Sequence, residues 1–219
     1  MERYSRQILL PEIGGIGQKK LAKCSVGLVG ANSMGLPFFL FGVGAGIGRW
    51  GVIDTSKSRA KEMDQQAKLR NPEINVKLFS PQKLKENVAS WVNQWSIVVD
   101  LSNDSTIQLQ LSSACQLTGI PFFSACCHGS TGLLFQAPCP FCLLTAPPQP
   151  TLSKKKSDLA TMVPGLIGTV LAQKIVKFLL EPGVRLSPGL TSFCAEDSTF
   201  TNLTPYMNKS CPTCNIVNN

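Results

Sequence analysis

At 219 residues and 43% hydrophobic content, the chain has the size of one compact domain, long enough to bury its own core. Its formal charge of +8, from 21 Lys+Arg against 13 Asp+Glu, is compatible with an acidic or nucleotide ligand. No nucleic-acid recognition motif accompanies that charge, so it reads as solvated faces and nucleic acid is not an expected partner.

The opening run, MERYSRQILLPEIG, carries charges within its first apolar stretch, which excludes a secretion signal. Two apolar segments bear on membranes. Residues 36–49 are too short to span a bilayer, and residues 159–180 are interrupted by Gln173, Lys174 and Lys177. The second reads as a buried helix with a polar edge, so no membrane partner is expected and a cytoplasmic location is.

Taken in order, Lys23 to Gly30 predicts a buried parallel strand and Ser33 to Val43 the helix that follows. Gly51 to Asp54 closes a second strand on an acidic residue, and Arg59 to Arg70 predicts a polar helix stopped by Asn71-Pro72. Val76 to Ser80 reads as a strand and Pro81 to Ser90 as a helix. A strand at Ser96 to Leu101, a helix at Thr106 to Leu117, and a strand at Pro121 to Cys127 come next. Gly132 to Gln136 reads as a short strand turning back, residues 160–180 as a long helix, and Gly183 to Pro205 as terminal β-structure. This alternation implies an α/β, doubly wound (Rossmann-like), mostly parallel sheet within a single domain of residues 1–219. A Pro-rich and then basic crossover loop occupies about residues 145–158.

Between the first strand and helix stands GANSMG, Gly30 to Gly35. The layout is that of a nucleotide-binding turn, with glycines at its ends, but Asn32 and Ser33 occupy its middle. Asn tolerates positive φ better than most residues, so the turn can still form. The added side chains would sit where phosphate approaches the backbone. Asp54, some twenty residues later, fits the acid that receives ribose hydroxyls.

Four of the nine cysteines form two C-x-x-C pairs on Pro-bearing knuckles, Cys139/Cys142 and Cys211/Cys214. Such turns aim two thiolates at one metal, so the two pairs predict a structural zinc knuckle of four cysteines joining distant segments. Redox dithiols are the alternative, although neither pair stands at a strand-to-helix junction. Cys126-Cys127-His128 is the one Cys/His cluster suggestive of a nucleophile with its base. Core cysteines at a strand end are the plainer explanation.

RYSRQ at residues 3–7, GQKKL at 17–21, the glycine turn, GVGAGIGRWGVID at 42–54, RNPEINV at 70–76, VVDLSND at 98–104, MVPGLIGTVLAQKIVKFL at 162–179 and both cysteine pairs occur in one order. Together they resemble the ThiF/MoeB/HesA family, relatives of the ubiquitin-activating enzymes, over nearly the whole chain. The resemblance implies dimers that use ATP and Mg²⁺ to adenylylate a carboxylate, usually the tail of a ubiquitin-like or sulfur-carrier protein.

Several positions depart from that pattern. The family's acidic stretch and S-N-L-x-R-Q phosphate-gripping loop are absent, and Arg59 takes the family's lysine position with Lys61 nearby. The metal-binding aspartate becomes Asn103, with Asp104 one residue late; Asp100 reads as structural. Arg6 matches the arginine that crosses the dimer interface into the neighbour's ATP site. No cysteine lies between Cys142 and Cys194, and Ser157 stands near the position of the thioester-forming residue, so covalent chemistry from the crossover loop is not expected.

Two readings follow. One is a family member with an eroded ATP/Mg²⁺ site, acting as a zinc-stapled scaffold or partner in a homodimer or in a heterodimer with a related subunit that receives Arg6. The other is an atypical adenylyltransferase in which Arg59, Lys61 and Asp104 take over lost roles on a small carboxylate or a carrier-protein tail. A dinucleotide-binding oxidoreductase would suit the glycine turn and Asp54, but neither RYSRQ nor the cysteine pairs.

Overall fold

The structure, a computed structural model, describes residues 2–136, 161–181 and 189–203. Both C-x-x-C pairs and the crossover loop lie outside the described residues. Eight strands form one sheet in the order β3-β2-β1-β4-β5-β6-β7-β8. The first five, β1 (Ser25–Val29), β2 (Arg49–Ile53), β3 (Asn75–Phe79), β4 (Ile97–Asp100) and β5 (Phe122–His128), pair in parallel. β6 (Thr131–Gln136), β7 (Gly189–Cys194) and β8 (Thr199–Leu203) extend the sheet as an antiparallel meander. The doubly wound, mostly parallel sheet expected from the alternation is present, and so are its turn-back strand and terminal β-structure.

The helices are α1 (Ser5–Ile8), α2 (Gly14–Lys23), α3 (Gly35–Ala45), α4 (Lys57–Arg70), α5 (Gln82–Val92), α6 (Ser105–Thr118) and, after the crossover, α7 (Val163–Leu180). β1, β2 and β4 are almost wholly buried because helices cover both faces, which explains their unbroken apolar runs. On one face Phe38 and Phe39 of α3 meet Trp50 edge-to-face, with centroids 5.7 and 4.9 Å apart, and α4 and α7 complete that layer. Trp91 of α5 and Trp95 just after it, with α6, fill the other face. Among the described residues α7 is the one helix long and apolar enough to cross a bilayer. It instead lays Val163, Ile167, Leu171, Ile175 and Leu179 into the core.

Two of the recurring sequence pieces meet in space. Arg3 of RYSRQ donates to the last carbonyl of α4, that of Arg70, and Asn71 of RNP donates to the Tyr4 hydroxyl at 2.6 Å and the Val43 carbonyl at 3.1 Å. Gln7 and Gln18 donate to the Gly44 and Ala45 carbonyls at the end of α3. The bonds to the Arg70, Gly44 and Ala45 carbonyls satisfy acceptors at helix C-termini, and together these contacts pin the N-terminal helices to the domain. The helix α2 carries no clear signal in sequence, since glycines at 14, 15 and 17 dilute its pattern.

Candidate functional site

The order in which the chain adds strands reverses between the parallel neighbours β1 and β4, and the crevice at the carboxyl ends of these strands is the place where α/β folds hold ligands. GANSMG turns across it. Gly30 adopts φ 105° and packs so tightly on β4 that a Cβ there would lie 2.6 Å from the Leu101 backbone. A Cβ at Gly35 would lie 1.9 Å from the Gly30 carbonyl oxygen. Both glycines are therefore fixed by close approach. Asn32 needs no positive φ, because Gly30 makes the turn.

The Asn32 side chain turns inward. Its Oδ1 accepts from the backbone N–H groups of Met34 and Gly35, both at 3.0 Å, while its Nδ2 donates to the Leu101 carbonyl at 2.6 Å. The N–H groups at the start of α3 are the donors that a phosphate would use. Here an amide oxygen of the chain itself holds them.

Asp54, at the end of β2, is buried and heavily engaged. Its Oδ2 accepts from Ala31 N–H at 2.6 Å; its Oδ1 accepts from Ser56 N–H at 2.7 Å and from Arg59 Nη2 at 2.8 Å and Nε at 3.2 Å. Ser56 caps α4, whose first residue follows at once. Arg59 thus reaches the ribose-type acid through a side chain that stays 49% exposed. Lys61, two residues further along the same helix, is exposed and does not line the crevice.

On the β4 side, Asp104 is the N-cap of α6, its Oδ1 accepting from Thr106 and Ile107 N–H at 2.8 and 3.2 Å. Asn103 sits at φ 60° and uses its Oδ1 to accept from Cys127 N–H at 3.3 Å, tying β4 to β5. Mg²⁺ is normally held by one or two carboxylates plus phosphate oxygens. Among the described residues on the β4 side, Asp104 is the one carboxylate that lines the cavity, and its Oδ1 is taken by the cap, so they fit Mg²⁺ poorly.

These groups line a cavity of about 310 Å³ with walls of Val29, Ile53, Leu84 and Ile107. Gly30, Asn32, Asp54, Arg59 and Asp104 are brought together there; Asn103 and Lys61 are not among its lining, and Arg6 is exposed on α1. Lys85, on α5, also lines the cavity. Sequence reasoning missed it because Lys85, like Lys83 on the same helix, belongs to no motif.

Burial pushes the Cys126 thiol up to about 12, with Cys127 and Asp100 adding to the effect, and pushes Cys127 up to about 11. Neither is a thiolate at neutral pH, which leaves Cys126-Cys127-His128 without an activated nucleophile. Asp100, buried at the end of β4, is raised to about 6 by desolvation, partly offset by its hydrogen bonds from Ser102. The unfolded chain ionises this group near pH 4, so its stabilising contribution is complete below that pH and is lost as pH rises through about 6. Asp100→Asn is therefore expected to raise stability at pH 7 by about 3 kcal/mol and flatten the profile between pH 4 and 6. Denaturant titrations across that range check it; an unchanged slope would show Asp100 to be compensated.

The model of the ThiF family matches residues 54–213. A sulfur carrier protein adenylyltransferase of Thermus thermophilus is 27% identical over 250 residues, spanning 98% of this chain and 90% of the relative. The SAMP-activating enzyme E1 of Haloferax volcanii is 28% identical over 242 residues, spanning 98% and 88%. The adenylyltransferase and sulfurtransferase MOCS3 of Anopheles gambiae is 31% identical over 240 residues; the match takes in 98% of this chain but 54% of that protein. Among solved structures, E. coli MccB with ATP superposes with a TM-score of 0.72 at 16% identity, over 98% of this chain and 74% of MccB, which is a likeness of fold. On the family match, with these likenesses beside it, the chain belongs to the ThiF family.

Proposed function

We propose that this chain is a ThiF-family subunit that no longer turns over ATP at its own crevice. It serves as a dimeric scaffold or partner in a ubiquitin-like or sulfur-carrier pathway, the setting suggested by the names of its relatives. The observation that carries the reading is the commitment of the β4 end: Asp104 is spent on the α6 cap and Asn103 on the Cys127 N–H. Adenylylation requires the triphosphate charge to be neutralised while the carboxylate attacks the α-phosphate and pyrophosphate leaves. The donors left at this site are few.

The partner role rests on what remains outside the crevice. Arg6 stays exposed on an N-terminal helix held in place by the Arg3, Tyr4 and Gln7 contacts. Beside that helix, Leu10, Ile13, Phe41, Val176 and Leu180 line a groove of about 1110 Å³, an apolar surface suited to a second subunit, identical or related. In this reading Arg6 crosses to the neighbour's site. Cys139, Cys142, Cys211 and Cys214 hold one structural zinc within a single domain of residues 1–219; four thiolates in two knuckles form a complete tetrahedral set with no position open for catalysis.

ATP–pyrophosphate exchange tests the reading. The purified chain, given ATP, Mg²⁺ and a peptide ending in Gly-Gly, is expected to exchange no label above the protein-free rate. Exchange that depends on the carboxylate, and is lost in Asp54→Ala, would overturn the scaffold reading. It would point instead to an atypical adenylyltransferase using Arg59, Lys85 and Asp104, the polar groups that line the crevice.

A further inference from the structure

The position of Asn32 says more than that the turn is degenerate. An eroded phosphate site would expose bare N–H groups at the start of α3, to be met by solvent or by any passing anion. Instead the Asn32 amide is seated at both ends: its oxygen accepts from Met34 and Gly35 N–H at 3.0 Å, and its nitrogen donates to the Leu101 carbonyl at 2.6 Å. A phosphate reaching these donors must break all three bonds, and it brings acceptors only, so the Leu101 carbonyl would lose its partner.

The remainder of the crevice is intact in a different way. Its apolar walls, Val29, Ile53, Leu84 and Ile107, flank Asp54, and the cavity of about 310 Å³ lies at the small end of the range for small-molecule sites. Oδ2 of Asp54 holds one hydrogen bond and has room for another. On Oδ1, two of the donors come from Arg59, whose side chain is 49% exposed and can move into water. Hydroxyl donors are the natural replacement for that guanidinium, and a ribose presents two of them side by side.

We infer that Asn32 is a built-in stand-in for phosphate, and that the crevice takes a ribonucleoside whose phosphates, where present, add nothing to binding. The inference rests on the reading that this site has ceased to turn over ATP, and it names the ligand class the site retains. Asn32 is the specificity-determining residue. Its carboxamide blocks the phosphate position without closing the space beside Asp54.

Calorimetry on the intact chain with adenosine, AMP and ATP, at about 0.15 M salt to damp the nonspecific attraction of a positively charged protein, tests this. In the wild type the three are expected to bind within roughly threefold of one another, since no phosphate-specific hydrogen bond distinguishes them. Asn32→Gly opens the N–H groups and is expected to tighten ATP about tenfold, the low-end worth of one charge-assisted bond, with adenosine unchanged. ATP more than about threefold tighter than adenosine in the wild type overturns the inference. So does an ATP-to-adenosine ratio that Asn32→Gly leaves unaltered. If that variant fails to fold, the wild-type ratio decides alone. Binding of none of the three removes the nucleoside assignment yet leaves the pyrophosphate-exchange result, and the scaffold reading with it, standing.

Discussion

Gly35→Ala is expected to cost about 3 kcal/mol, at the upper end of overpacking penalties, and to lower the melting temperature of a chain this long by roughly 6–12 °C. The added Cβ would lie 1.9 Å from the Gly30 carbonyl oxygen and 2.9 Å from its carbon. Both are backbone atoms, so no rotamer change relieves the clash. Gly30 has no freedom to retreat, because it is itself pressed against the Leu101 backbone and its N–H is bonded to the Ile53 carbonyl at 2.9 Å. The strain therefore passes into the β1–β4 seam. Gly165 on α7 is the control: nothing lies within 4 Å of a Cβ there, so alanine is expected to stabilise by about 0.5–1 kcal/mol through helix propensity. Thermal unfolding followed by circular dichroism compares the two. Wild-type behaviour of Gly35→Ala would mean that the turn is looser than drawn, and the seating of Asn32 would lose its basis.

That contrast separates two kinds of glycine at this site. Gly30 and Gly35 are kept for packing, whether or not a nucleotide ever visits. A glycine at position 32 would instead be needed for phosphate, and that is the position where the chain has changed. Retention of the outer pair thus says nothing about catalysis, and a glycine-turn motif read alone overstates it.

The sheet was legible because its central strands are buried on both faces: unbroken apolar runs such as Val26 to Val29 and Ile97 to Val99, each bounded by a turn and a helix, leave little choice of topology. Element ends moved by one to three residues, the start of α7 the most, as expected for frayed helix termini. Asp54 was legible from its distance to the glycine turn. The direction taken by the Asn32 amide was not, since sequence gives the substitution but not whether its side chain faces ligand or backbone. Asp104 was read as a stand-in for a metal ligand when its position ahead of Ser105 makes it a helix cap. Both functions use an aspartate just past a strand, and only the Thr106 and Ile107 N–H bonds distinguish them. Arg59 was placed near phosphate; its ion pair with Asp54 follows from the early start of α4, which sets the two side chains five residues apart across a tight corner.

Cys211→Ser is expected to abolish a stoichiometric zinc and to destabilise the chain by about 4 kcal/mol, on the footing that the metal acts as a cross-link. Cys139 and Cys211 are 72 residues apart, and loop-closure entropy gives about 3 kcal/mol for 15 residues and about 4.7 for 100. In a chain of this length the melting temperature should fall by roughly 8–16 °C. A serine hydroxyl is a poor substitute because structural zinc is held by thiolate charge, so one replaced ligand weakens the whole set rather than a quarter of it. The alternative of redox dithiols predicts something different: wild-type protein purified without metal, and stability that responds to reductant instead of chelator. Elemental analysis of the wild type, together with melting curves in the presence of chelator or dithiothreitol, separates the two. One zinc per chain and chelator sensitivity support the staple; a metal-free protein that keeps its melting temperature removes it. β7 and β8 enter the sheet just ahead of the second cysteine pair, so losing the staple loosens the antiparallel edge first and leaves the buried parallel strands, with the Asn32 turn on them, as the last part of the domain to open.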